Sequence, residues 1–142
     1  MTSVPFLEGQ FVWCAFPEYE DPLTPGPMHA GYILATVTDE RGFGAMVAYT
    51  TSQPWIGETP RGVRIFTREQ ARVVGQHKAF VLDLRRIAYI PVDSAWFPDL
   101  AAPDHGIIGQ APEALRLQLE AAATEIFRRH IETVERLGPL WR

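Results

Sequence analysis

Apolar residues gather in short runs separated by turn-rich segments over the first two-thirds of the chain, and recur at helical spacing over the last part. GQFVWCAF, residues 9–16, reads as a buried strand of apolar and aromatic residues stopped by Pro17. The segment PEYEDPLTPGPMHA that follows holds four prolines, a glycine and three acids. Such a composition cannot ladder in a sheet and predicts an exposed loop. GYILATVT predicts a second strand, DERGFG a turn, and AMVAYTT a third strand ending at Thr51. After a second irregular loop, VRIF predicts a fourth. Thr67 and Gln70 have the spacing of a capping box and Gly75 the place of a helix C-cap, so a short helix is expected from Thr67 to Gly75. AFVLDL and RRIAYIPV predict a fifth strand, bent at Asp83 to Arg86 and ending at Pro91.

From Pro112 the period changes. Leu115, Leu119, Ala122, Ile126 and Val134 form one apolar stripe, while Glu125 with Arg129 and Glu132 with Arg136 are four apart on the outside. Pro112 suits the first helical position and Gly138-Pro139 the stop, giving a helix over about 112–137. Its stripe is expected to cover the open end of a barrel or another subunit. The expected fold is mainly β with helices (α+β). A small barrel of about five strands spans about 8–92, the long C-terminal helix follows, and one domain covers 1–142.

Composition narrows the partners. A chain of 142 residues, 46% hydrophobic and 21% charged, has the profile of one ordinary globular domain, without a run long enough to cross a membrane. MTSVPFLEGQ lacks the pattern of a secretion signal, and the single cysteine, Cys14, cannot form an internal disulfide, so a cytoplasmic protein is expected. The net charge of −4 argues against a nucleic-acid partner until its distribution is read. Residues 1–60 carry seven acids against Arg41 alone. Residues 61–90 carry Arg61, Arg64, Arg68, Arg72, Lys78, Arg85 and Arg86 against Glu69 and Asp83, a local excess of five positive charges.

Candidate chemistry centres on AYTTSQPW. Thr50, Thr51, Ser52 and Gln53 place three hydroxyls and an amide at the lip of a strand, where they suit either a phosphate or the satisfaction of loop backbone groups. Trp13, in an apolar run, is expected in the core, whereas Trp55, in the loop beside the cluster, is the candidate for stacking on a base. Arg61 and Arg64 flank a short strand beside that loop and are candidates for lining a groove; solvated surface charges are the alternative. His29, His77, His105 and His130 show no metal-ligand spacing with Cys14 or one another, and no metal or cofactor is expected. His130 falls on the apolar side of the helix and is expected to be packed.

Three stretches, taken together, resemble the PemK/MazF family of toxin–antitoxin endoribonucleases: GQFVWCAFP, PGPMHAGYILATV and VAYTTSQ. GQHKAFVLDLRRIAYIP and GIIGQAPEAL are compatible, and the likeness covers roughly 8–120. The resemblance implies an SH3-like barrel that cuts single-stranded RNA without a metal, the substrate's 2′-hydroxyl attacking the adjacent phosphorus. It also implies a homodimer and a cognate antitoxin as partner. The family places an Arg at the start of the second strand and a Thr at the end of the third. By motif match Thr51 takes the Thr position, and Met28-His29-Ala30-Gly31 stands where the family has Arg-Pro, with His29 opposite the arginine. The expected site is therefore catalytic His29 and Thr51, with Thr50, Ser52, Gln53, Trp55, Arg61 and Arg64 on the substrate. The alternative is a barrel that keeps the fold without the chemistry and binds a protein partner.

Overall fold

The structure, a computed structural model, describes residues 4–40 and 42–137, with side chains for all of these except 39 and 129–137. In chain order it contains β1 (Gln10–Ala15), β2 (Met28–Asp39), β3 (Gly42–Thr51), β4 (Val63–Phe66), α1 (Arg68–Val73), β5 (Phe80–Pro91), β6 (Ile107–Gln110) and α2 (Glu113–Leu137). The strands form one antiparallel sheet in the order β4-β5-β3-β2-β1-β6. The class is α+β, mainly β. Among the described residues no helix is long and apolar enough to cross a membrane.

One face of the sheet curls around Phe11. Its ring lies 4.9 Å from Tyr32 on β2, 5.5 Å from Phe80 on β5 and 6.3 Å from Phe66 on β4. A flat sheet at about 4.8 Å per strand would hold β1 and β4, four steps apart, about 19 Å from each other. The ring contacts therefore require strong coiling. Register shifts supply it, falling between Phe11 and Val12, between Ile33 and Ala35, and between Ala48 and Tyr49. The last is the bend expected at Asp83 to Arg86. Tyr49 pairs with Asp83 and Ala48 with Ile87, so Leu84 to Arg86 bulge out of the ladder. The Asp83 carboxylate clamps the bulge, accepting from the Arg85 backbone N–H, Nε and Nη2 at 3.0 Å each.

α1 begins as its sequence demands. The Gln70 N–H donates to Thr67 Oγ1 at 3.2 Å and the Thr67 N–H to Gln70 Oε1 at 3.0 Å, a complete capping box. Ala71 and Val74 are fully buried in the Phe11 cluster. Past Val74 the chain turns at Gly75 with φ +84° and lies directly on β6. A Cβ at Gly75 would meet the Ile108 carbonyl oxygen at 2.3 Å, and one at Gly109 would meet the Val74 carbonyl oxygen at 2.0 Å. Two glycines thus let α1 bridge the two edge strands.

This arrangement corrects the expected barrel in two respects. A sixth strand, Ile107–Gln110, pairs with β1, beyond the five strands expected to end at Pro91. No ladder joins β4 to β6 among the described residues, so the sheet is curled but open. β2 also starts three residues earlier than its apolar run, because Met28, His29 and Ala30 pair with Ala15, Cys14 and Trp13. The far face of the sheet carries a second core in which Phe6, Cys14, Ile33, Val47, Ile90 and Phe97 are buried.

α2 covers the Phe11 face of its own sheet over its described side chains. Leu119 and Ala123 are buried, and Leu115, Ala122 and Ile126 lean on the same cluster. Val134 and His130 lie outside the described side chains. We predict that Gly109→Ala, which drives a methyl into the Val74 carbonyl, lowers stability by about 2 kcal/mol. Urea unfolding followed by circular dichroism measures it; an unchanged midpoint would show that the contact between α1 and β6 does not hold the edges together.

Candidate functional site

Antiparallel pairing brings the start of β2 beside the end of β3, and the curl brings the loop after α1 and the loop before β6 around them. Together they line a cleft of about 700 Å³. His29, Thr50, Thr51 and Ser52 border it. Trp13 and Met28, each 43% exposed, form an apolar patch there, with Gln76, His77 and Lys78 on one side and Asp99 and Asp104 on another.

His29 is half-buried, and its Nδ1 lies 3.0 Å from the Thr50 carbonyl oxygen. A carbonyl only accepts, so Nδ1 carries the hydrogen and Nε2 is left as the acceptor in the neutral ring. Burial, the largest influence, holds the His29 pKa below its ordinary value; the Thr50 bond opposes this and the Arg86 charge adds to it. The ring of Tyr49 stands between the two, 4.8 Å from the imidazole and 4.1 Å from the Arg86 guanidinium carbon. His29 is therefore built as a base rather than as a standing cation.

Thr50 is buried, and its hydroxyl donates to the Ala30 carbonyl, tying β3 to β2. The Thr50 carbonyl, rather than its hydroxyl, serves the site by fixing His29. Thr51 Oγ1 accepts the Gln53 N–H at 3.2 Å and keeps its own hydrogen for another partner. Ser52 is exposed at the cleft.

The remaining expected substrate residues stand elsewhere. Arg61 pairs with Glu125 on α2, and Arg64 Nη1 donates to Gln118 Oε1 at 3.1 Å, so both brace the helix. Trp55 Nε1 donates to the Glu58 carbonyl at 3.0 Å, with Arg85 5.5 Å over its ring. Neither tryptophan behaves as its neighbours suggest: Trp55 is held in its loop, and Trp13, expected in the core, faces the cleft. Alternation explains Trp13, since Val12 and Cys14 on either side of it occupy the second core. Its backbone N–H donates to the Gly106 carbonyl at 3.0 Å, joining β1 to the loop that carries Asp99 and Asp104.

Sequence reasoning missed His77, Lys78, Asp99 and Asp104. The available signal was the C-cap glycine, since GQHK is the turn that leaves α1. Among the described residues Lys78 forms no ion pair and no arginine lines the cleft. Gln76 Nε2 is buried without a hydrogen-bond partner among the described residues, a donor awaiting an acceptor. No group of three or more His, Cys, Asp and Glu side chains among the described residues is arranged to hold a metal ion. The Cys14 thiol is fully buried and pushed up to about 12 by burial, which makes it inert.

No protein-family model matches the chain, and no curated protein matches it. The site therefore stands on its own geometry. We predict that Arg86→Gln raises the His29 pKa, because it removes a positive charge from the far side of Tyr49. A proton NMR titration of the His29 imidazole measures this; a fall, or no change, would contradict the assigned linkage.

Proposed function

We propose that this cleft binds single-stranded RNA in the cytoplasm and cleaves it by attack of the substrate's own 2′-hydroxyl on the adjacent phosphorus. The observation that carries the reading is the His29 imidazole, held with Nδ1 on the Thr50 carbonyl and Nε2 unprotonated, on the same cleft as Thr51 and Lys78. In this reading Nε2 takes the proton of the 2′-hydroxyl as its oxygen bonds to phosphorus. The Lys78 ammonium and the Thr51 and Ser52 hydroxyls hold the charge that develops on the phosphoryl oxygens. His77 protonates the departing 5′-oxygen, which leaves one 2′,3′-cyclic phosphate end and one 5′-hydroxyl end. Trp13 offers a face on which an unpaired base stacks.

The curled sheet crossed by α1 is compatible with the SH3-like barrel of PemK/MazF toxins, with His29 and Lys78 sharing the work of the family arginine. A homodimer and an acidic antitoxin that covers the cleft complete this proposal. One observation favours a different reading: Asp99 and Asp104 bring two acids to the cleft, and the chain as a whole is acidic. A barrel that binds a basic segment of a protein partner, without catalysis, would use the same acids.

Incubation of purified protein with a long single-stranded RNA in EDTA tests the two. Cleavage to 2′,3′-cyclic phosphate ends is expected. His29→Ala and Lys78→Ala should each lower the rate by about 10²-fold or more, and Thr51→Ala by less, while Arg61→Ala leaves it unchanged. Because burial depresses the pKa of the base, the limb on which the rate rises with pH should have its midpoint below the ordinary histidine value of about 6.5, and the rate should fall again at higher pH, where the general acid has lost its proton. Intact RNA from a folded preparation would overturn the nuclease reading and favour the binding module, and cleavage that survives His29→Ala would overturn the role given to His29.

A further inference from the structure

A second cavity of about 550 Å³ lies on the other side of Tyr49, between the loop after β1, the bulge of β5 and the exposed edge of α2. Arg86 stands at its wall. The guanidinium carbon lies 4.1 Å from the Tyr49 ring centre, 4.3 Å from Tyr19 and 5.2 Å from Phe16, and Nη2 donates to the Pro17 carbonyl at 3.0 Å. Three rings attract the charge but give its N–H groups no lone pair to bond, so among the described residues one acceptor faces five donors. No carboxylate lies within ion-pair distance of Arg86 among the described residues, whereas its neighbour Arg85 is paired with Asp83 through Nε and Nη2. Apart from Glu18 and Arg85 the rest of the wall is largely apolar, with Leu84, Ile87, Ile126 and Phe127 prominent.

We propose that this cavity is a binding site for a small monocarboxylate with an apolar body, its carboxylate on Arg86 and its body against Ile126 and Phe127. A half-buried guanidinium without an anion is completed by a carboxylate, which matches its donor edge in the bidentate way. Glu18, also at the cavity, disfavours a second negative charge, so a single carboxylate fits better than a phosphate dianion. The site goes beyond the RNA reading and stands whether or not the cleft cleaves RNA. The Tyr49 ring links it to His29, lying 4.8 Å from the imidazole and 4.1 Å from the Arg86 guanidinium carbon.

Isothermal titration of the full chain with N-acetylphenylalanine, N-acetylphenylalaninamide, acetate and inorganic phosphate tests it. The acid should bind saturably, and the amide, which keeps the body without the charge, at least about tenfold more weakly. Acetate and phosphate should also be weaker than the acid. Arg86→Gln should abolish the preference of acid over amide, and Arg86→Lys should retain part of it. Equal binding of acid and amide by the unaltered chain, or no saturable binding of the acid, would overturn the proposal without recourse to any variant.

Discussion

The contact between Phe11 and Phe66 is the constraint on which the rest of the molecule depends. Strands four steps apart in a sheet do not touch unless the sheet rolls, and rolling requires both an apolar seam to bury and interruptions in the ladder where the chain can turn. Phe11, Tyr32, Phe66 and Phe80 supply the seam. The register shifts in β1, β2 and β3 supply the interruptions. Once rolled, the sheet has two edges close enough for a six-residue helix to span, and Gly75 and Gly109 remove the side chains that would keep them apart.

The same roll makes the cleft. It sets the end of β3 against the start of β2 and lets the turn after α1 reach over them, so side chains from residues 13, 29, 51 and 78 border one space. None of these is close to another in sequence. The bulge that bends β5 has a second effect, because it carries Arg86 to the far side of Tyr49. One aromatic ring therefore separates an imidazole and a guanidinium whose charges oppose each other, and the imidazole, already penalised by burial, stays neutral.

Much of this architecture is legible in the sequence. The capping box at Thr67 and Gln70, the glycine after α1, the bend at Asp83 to Arg86 and the stripe of α2 are local signals whose physics does not need the rest of the chain. β6 is not legible, because a four-residue strand with one glycine gains its identity from Phe11 and Val12 across the ladder rather than from its own pattern. The site divides the same way. Thr51 and Ser52 are suggested by their position at the end of an apolar run, whereas His29, in a segment read as loop, is suggested only by the resemblance. Arg61 and Arg64 mislead because local charge says nothing of Glu125 and Gln118 waiting on a helix some sixty residues away. Trp13 misleads because the alternation that turns it out of the second core becomes visible only when its neighbours' burial is known.

The proposed nuclease would hold RNA in the cleft beside His29 and not around Arg61 and Arg64, which brace α2. The most direct measurement is an NMR titration with a short single-stranded RNA methylated at its 2′-oxygens, which binds but cannot be cut. Under this proposal saturable shifts are expected at Trp13, His29, Thr51 and Lys78, with Arg61 and Arg64 unmoved. Shifts confined to Arg61, Arg64 and their surroundings, or none that saturate, would contradict it.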